Sequence, residues 1–418
     1  MKEHKVVITG MGLMSAGGKN VAEAWDNILR KNHSFSTIAH KPENVASTFY
    51  SFIETTDDMF SKLPNSITNI LSKHGKLALE SCRQAISQAF GENNSPTEHY
   101  HPFECGVILG SGWGPFDDIS KLTLKYDQMG ITHPRSNFIT MPSSMTAACA
   151  IMYGLQGYQN TIAAACATGN MAIGEAFNAI KMGRAKFMVA GGAESLTSEL
   201  GIWSIDVLKA LSKESEDPAR ASCPFSLDRS GFVLAEGSAV ICLEEYNSAV
   251  NRGANILAEI TAYASFSDGD HISRPAEDVA CRVETITEAL KLAKLGANDI
   301  GYINAHGTST PLNDLYETKA LKKAFGKQAY NIPVSSTKSY TGHLIGAAGS
   351  YETIVCVKAL NENTLPSTIN LKNPDPQCDL NYLAKDHLYN ANVDNVINLS
   401  SGFGGHNSAL VITRYKKS

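Results

Sequence analysis

Ala165-Cys166-Ala167-Thr168-Gly169-Asn170 opens a helical pattern that ends near Met182-Gly183, followed by an apolar strand, Phe187 to Ala190, and a glycine pair, Gly191-Gly192. The same order of parts returns later in the chain. Ser339-Tyr340-Thr341-Gly342-His343 leads into a helical run, Leu344 to Leu360, and further on the strand Val396 to Leu399 precedes Gly402-Phe403-Gly404-Gly405. An echo on this scale reads as one supersecondary unit used twice. It divides the chain into halves, 1–255 and 256–418, that meet around residues 250 to 260. Elsewhere, short β-branched runs alternate with longer segments of helical period, as in Lys5 to Thr9 followed by Asn20 to Leu29. That alternation predicts an α/β fold in which parallel strands are covered by helices.

Composition narrows the classes of function. The 418 residues are 43% hydrophobic and 18% charged with 33 glycines, which suits a large globular enzyme with many tight turns and not a disordered chain. A formal charge of -5 and a pI near 6.2 supply no basic field for a polyphosphate backbone, so nucleic acid is set aside as a partner. The nine cysteines are scattered, odd in number and without a CxxC pair, so reduced thiols are expected and no zinc or disulfide framework. The apolar run near the N-terminus, Val6-Val7-Ile8, is too short for a secretory segment. Even the Ala-rich stretch from Met145 to Ala172 is interrupted by Gln156, Gln159 and Asn160, so no membrane span is expected and the protein should be cytoplasmic.

Cys166 lies in Thr161-Ile162-Ala163-Ala164-Ala165-Cys166-Ala167-Thr168-Gly169, where an apolar strand passes through small residues into an amphipathic helix. A thiol at a helix N-terminus meets the positive dipole end and unpaired amides, which predicts a pKa below the free value of about 8.5. Cys166 is therefore the candidate nucleophile, and the other eight cysteines read as small core residues. His306, in Tyr302-Ile303-Asn304-Ala305-His306-Gly307-Thr308-Ser309-Thr310-Pro311, follows a strand that breaks into small hydroxylated residues, as where backbone must approach a ligand. His343 stands at a second strand-to-helix turn. Either histidine alone reads as a satisfied structural residue; beside Cys166 they read as a pair. Lys338 precedes His343 by five residues, and Asp314 and Glu317 follow His306 by eight and eleven, so a buried lysine–carboxylate network around the imidazoles is expected. Gly402-Phe403-Gly404-Gly405 resembles a loop whose amides can aim at an oxyanion.

Together these segments resemble the β-ketoacyl-acyl-carrier-protein synthases, closest to the ketoacyl synthase II group, over nearly the whole chain. The resemblance also rests on Val7-Ile8-Thr9-Gly10-Met11-Gly12, on Pro224-Phe225-Ser226-Leu227-Asp228-Arg229-Ser230-Gly231-Phe232-Val233, and on the segment from Lys338 to Gly349. It implies a thiolase-like duplicated fold of five layers, α-β-α-β-α, normally dimeric. By position, Cys166 matches the nucleophile, His306 and His343 the histidine pair, Lys338 the lysine that supports them, and Asp314 and Glu317 the accompanying acids. The amides of Cys166 and Phe403 match the oxyanion hole, and Thr308 and Thr310 match positions that contact the pantetheine arm. The implied reaction is transfer of an acyl group to Cys166, then decarboxylative condensation with malonyl carrier protein, with no metal or redox cofactor. Some members carry a monovalent cation site, for which Asn304 and Glu352 are retained. The implied partner is an acidic acyl carrier protein, with Lys73, Lys76, Arg135, Lys209 and Lys213 as candidates for docking it.

Three departures stand out. Where the family often reads Asn-Ser-Phe this chain reads Leu399-Ser400-Ser401, which removes a second gating phenylalanine; position 406 is His where threonine is common; and Ala164-Ala165 precede the nucleophile. A wider pocket mouth and a specialised chain, such as a polyene or polyketide, are expected from Ser401 and His406. Three rival readings are a synthase subunit working beside a different ketosynthase-like subunit, a non-catalytic chain-length factor and a degradative thiolase. Retention of Cys166, both histidines and Lys338 argues against the chain-length factor, and His343, standing where a thiolase has its second cysteine, argues against the thiolase.

Overall fold

The computed structural model describes residues 3–39, 41–56 and 58–417. Ten strands join in one sheet: β1 Val6–Ser15, β2 Cys105–Gly110, β3 Gln159–Ile162, β4 Phe187–Glu194, β5 Gly237–Glu245, β6 Ala258–Ser267, β7 Tyr302–Asn304, β8 Val334–Ser335, β9 Asn395–Gly402 and β10 His406–Thr413. Their spatial order is β8-β7-β9-β10-β6-β1-β5-β4-β2-β3. The first five strands in chain order and the last five follow the same plan. In each set the second strand pairs in parallel with the third and fourth, the fifth runs antiparallel to the fourth, and the first runs antiparallel to the fifth. The sets meet where Val6, Val7 and Ile8 of β1 pair with Ile260, Glu259 and Ala258 of β6.

β1, β2, β4 and β5 are buried along their whole lengths. That is why they read as continuous apolar runs and not as alternating ones. The apolar run read as a strand stops at Thr9, yet the strand continues through Gly10 and Gly12 to Ser15. Its glycines serve close packing: a Cβ on Gly12 would lie 1.9 Å from the Ser81 carbonyl oxygen of a covering helix. Helix α1, Val21–Leu29, starts where expected, with the Asn20 side chain accepting the Glu23 N–H.

Helix α2, Lys73–Phe90, covers the outer face of the first sheet half. Helices α3, Thr168–Lys181, and α6, Ala348–Glu362, pack on each other and against strands of both halves. Helix α4, Ala280–Ala293, covers the outer face of the second half with α5, Pro311–Phe325, beside it. These are the five layers α-β-α-β-α. From Ala348 to Val357 every residue of α6 is buried, so this helix is apolar or internally satisfied all round, as its central position requires. Ile173 and Phe177 of α3, Ile354 and Val355 of α6, Ile241 of β5 and Leu410 of β10 belong to one hydrophobic cluster. Among the described residues no helix is long and apolar enough to cross a membrane.

Candidate active site

Both central helices start from strained turns. Ala165, with φ +46°, opens a 3₁₀ turn over Ala165–Ala167 that feeds α3, and Ile345, with φ +48°, opens the turn Ile345–Ala347 that feeds α6. A left-handed residue with a side chain persists only where its surroundings hold it. At the first turn Thr168 does so, its Oγ1 accepting the Ala164 N–H at 2.8 Å and donating to the Ala165 carbonyl at 2.7 Å. The geometry gives the sequence echo its register. The counterpart of Cys166 is Gly346, and His343 stands three residues earlier, on the segment that enters the turn.

Cys166 is 5% exposed, and the backbone N–H of Phe403 is near enough to its sulfur to favour the thiolate form. Phe403 is held there by the tight hairpin between β9 and β10. A Cβ on Gly402 would lie 2.8 Å from the Ala164 carbonyl oxygen and 3.0 Å from the Cys166 nitrogen, so only glycine lets this loop press on the nucleophile turn. The resting state of the sulfur differs from the sequence expectation. Burial pushes the Cys166 thiol up to about 12, against the opposing pull of Lys338 and of the Phe403 amide. The resting group is thus a thiol, because loss of solvation outweighs the charge of Lys338 and the Phe403 amide.

His306 and His343 face each other with ring centroids 5.3 Å apart and planes at 80°. Burial, and then the charge of Lys338, hold both well below the usual histidine range, so both are neutral at physiological pH. The Ile345 N–H donates to Nδ1 of His343 at 3.3 Å, which puts the ring proton on Nε2, and Nε2 has no protein partner. Cys166, His306, His343, Thr308, Thr310 and Phe403 all line one cavity of about 420 Å³. The hydroxyls of Thr308 and Thr310 are hydrogen bonded to each other at 2.8 Å.

Residues 3–249 match the family description "Beta-ketoacyl synthase, N-terminal domain", and residues 257–372 match "Beta-ketoacyl synthase, C-terminal domain". The chain belongs to the β-ketoacyl synthase family. It is 36% identical over 430 residues to a 3-oxoacyl-[acyl-carrier-protein] synthase 2 of Synechocystis, covering 100% of this chain and 99% of the relative. A ketosynthase solved in complex with its type II polyketide acyl-carrier protein is 31% identical with a TM-score of 0.88, covering 99% of this chain and 100% of that one. The ishigamide ketosynthase/chain length factor superposes with a TM-score of 0.89 at 25% identity, over 99% of this chain and 100% of that one.

Within this synthase the supporting charges sort differently from the single network expected. Lys338, 1% exposed, is paired with Glu352 of α6 and not with Asp314 or Glu317. Glu317 accepts the backbone N–H groups of His306 at 2.7 Å and Gly307 at 2.8 Å, so it fixes the His306 loop by its backbone. Asp314, pushed up to about 6 by burial, accepts the Phe225 and Ser309 N–H groups and lies 3.8 Å from Arg229. Among the described residues Asn304 Oδ1 and Glu352 Oε2 are buried oxygens without a partner, the donor type a monovalent cation takes. Of the docking candidates, Lys73 is tied to Glu236 at 2.7 Å, Lys76 is half-buried, Arg135 and Lys213 are exposed, and Lys209 lines the cavity.

Two residues given no role in the sequence reading also shape the site. Phe232 meets His343 edge-on, centroids 5.0 Å apart, and the backbone of Val233 and Ala235 clamps His343 from both sides. Glu194 accepts the Gly112 N–H at 2.7 Å and the Gly346 N–H at 3.2 Å, tying the loop after β2 to the second turn. A carboxylate at the carboxyl end of a parallel strand, where sites of open α/β sheets gather, was the available signal for it.

Proposed function

We propose that this synthase condenses an acyl chain held on Cys166 with a malonyl unit delivered by an acyl carrier protein, in fatty acid or polyketide chain elongation, in the cytoplasm. The observation that carries the reading is one cavity wall presenting a buried thiol under the Phe403 amide and two neutral imidazoles brought in from the other half of the chain. First the sulfur attacks the carrier thioester; its proton passes to the departing carrier thiol and the acyl group stays on Cys166, with its carbonyl oxygen at the amides of Cys166 and Phe403. Fixing the electrophile on a rigid turn makes the next step effectively intramolecular. The malonyl thioester then binds with its carbonyl oxygen at His306 and His343. Neutral imidazoles donate to that oxygen, and Nε2–H of His343 is oriented to do so. Loss of CO2 leaves the electron pair on the enolate those donors stabilise, and its carbon attacks the acyl carbonyl and expels the Cys166 sulfur as thiolate, which takes up a proton from water to restore the thiol. Losing one oxyanion donor in sites of this kind lowers the rate roughly a hundredfold to a thousandfold.

In this reading Lys338 keeps the imidazoles neutral, Glu317 and Asp314 hold the loops, and Thr308 with Thr310 receives the pantetheine arm. A monovalent cation held by Asn304 and Glu352 would add positive charge behind the imidazoles. The active unit is a dimer, either of two copies or of this chain beside a ketosynthase-like subunit. Ser401, on the cavity wall where relatives often carry phenylalanine, favours a specialised chain. The test is to supply acyl and malonyl carrier proteins and to measure CO2 and the product. A β-ketoacyl carrier two carbons longer is expected, with Cys166→Ala forming none; product from that variant at the wild-type rate overturns the proposal.

A further inference from the structure

Arg282 is 8% exposed, deep in the wall of the active-site cavity, and none of the ion pairs among the described residues includes it. Among the described residues its guanidinium hydrogen bonds only to Asn313, at 3.0 Å to Oδ1 and 3.4 Å to the carbonyl oxygen, and its Nε has no partner. The nearby carboxylates are engaged elsewhere. Glu317 holds the amides of the His306 loop, Asp314 holds those of Phe225 and Ser309, and Asp268 accepts from Asn407 at 2.7 Å and from the Ala276 N–H at 3.1 Å. A guanidinium stays charged at any working pH; Glu317, Asp268 and Asp314 attract it from a distance, but among the described residues none of them pairs with it directly, and a buried charge without a contact partner is destabilising.

Its position compounds the imbalance. Arg282 sits in the first turn of α4, where a cation opposes the helix dipole, and the helix begins from Val279 in a left-handed conformation, φ +55°. The cavity wall carries Lys209, Arg274 and Arg282 against the single carboxylate Asp268. Lys209 and Arg274 are exposed; Arg282 alone of the three is interior, and its charge is felt at His306. Behind Ser401 and Asn407 a second cavity of about 20 Å³, the size of one water, is also lined by Arg282. A phenylalanine in place of Ser401 would stand at this shared wall.

We propose that Arg282 is a specificity-determining residue that binds the carboxylate of the malonyl unit, with Ser401 and Asn407 completing a polar subsite beside His306. The inference rests on the condensing reading above. In that reaction the malonyl carboxylate is the one anion that must enter next to the imidazoles. When the bond between C2 and the carboxyl carbon breaks, its electron pair moves into the enolate and the carboxyl carbon leaves as neutral CO2, for which a guanidinium has no charge to hold. The ion pair is therefore strongest in the bound substrate and weakens as the reaction proceeds, so its removal should raise KM without lowering kcat.

The test compares wild type with Arg282→Met and Arg282→Lys, using malonyl carrier protein as substrate and acetyl carrier protein, which lacks the carboxylate, as competitor. Arg282→Met should raise KM for the malonyl carrier about tenfold or more with kcat within about threefold, Arg282→Lys should fall between, and the inhibition constant of the acetyl carrier should move less than about twofold. An unchanged malonyl KM overturns the proposal. So does an equal loss of affinity for both carriers, or a parallel fall of kcat and thermal midpoint, which a purely structural arginine would give. If wild type neither acylates Cys166 nor releases CO2, the condensing reading itself fails, an outcome separate from any effect of Arg282.

Discussion

Cys166 has its chemistry set by two opposed effects, burial that keeps the proton on the sulfur and the charge of Lys338, with the Phe403 amide, that draws it off. With the thiol pushed up to about 12, the thiolate fraction is small at pH 7 and grows about tenfold per pH unit through pH 9. Alkylation of Cys166 by iodoacetamide should therefore keep rising across pH 7 to 9, followed by peptide mass; a plateau below pH 8 would show a resting thiolate instead. His343→Ala should still accept an acyl group on Cys166 but lose malonyl decarboxylation by about a hundredfold, read as CO2 release; full decarboxylase activity would remove the role given to that ring. The residue types were legible in the sequence, because a cysteine and two histidines at strand-to-helix turns are rare company. The protonation state was not, since it depends on solvent excluded by loops far away in sequence.

The turns and the hairpin between β9 and β10 are the elements that turn these side chains into a site. Gly402→Ala forces a Cβ to 2.8 Å from the Ala164 carbonyl oxygen, which must move the Phe403 amide off the sulfur. This variant should lose roughly a hundredfold in kcat for condensation while circular dichroism shows the native fold; wild-type kcat would mean the amide has no such role. Sequence spacing fixed the neighbourhood of Lys338 but not its partner: Glu352 lies on α6, and only the packing of that helix brings the two together. Likewise the echo located both turns without aligning them residue by residue, because the 3₁₀ turn at Ile345–Ala347 carries no signal distinct from the helix that follows.

At the scale of the whole molecule the chain uses one strand plan twice and buries α3 and α6 between the copies. We propose the joint at residues 255 and 256, in the stretch between β5 and β6. Because residues of both copies share one core cluster, the protein should unfold in a single calorimetric transition; two separated transitions would mean the halves are independent bodies. This level was the most legible, since a duplicated pattern averages over local ambiguity. It also frames the proposed reaction, in which the electrophile is held by one copy and the nucleophile is made at the imidazoles of the other. The most direct test is the mass of the peptide containing residue 166 after incubation with acyl carrier protein, before and after malonyl carrier protein is added. The account predicts an acyl adduct on Cys166 that disappears as the lengthened β-ketoacyl carrier forms; a product that forms with no adduct ever on that peptide would contradict it.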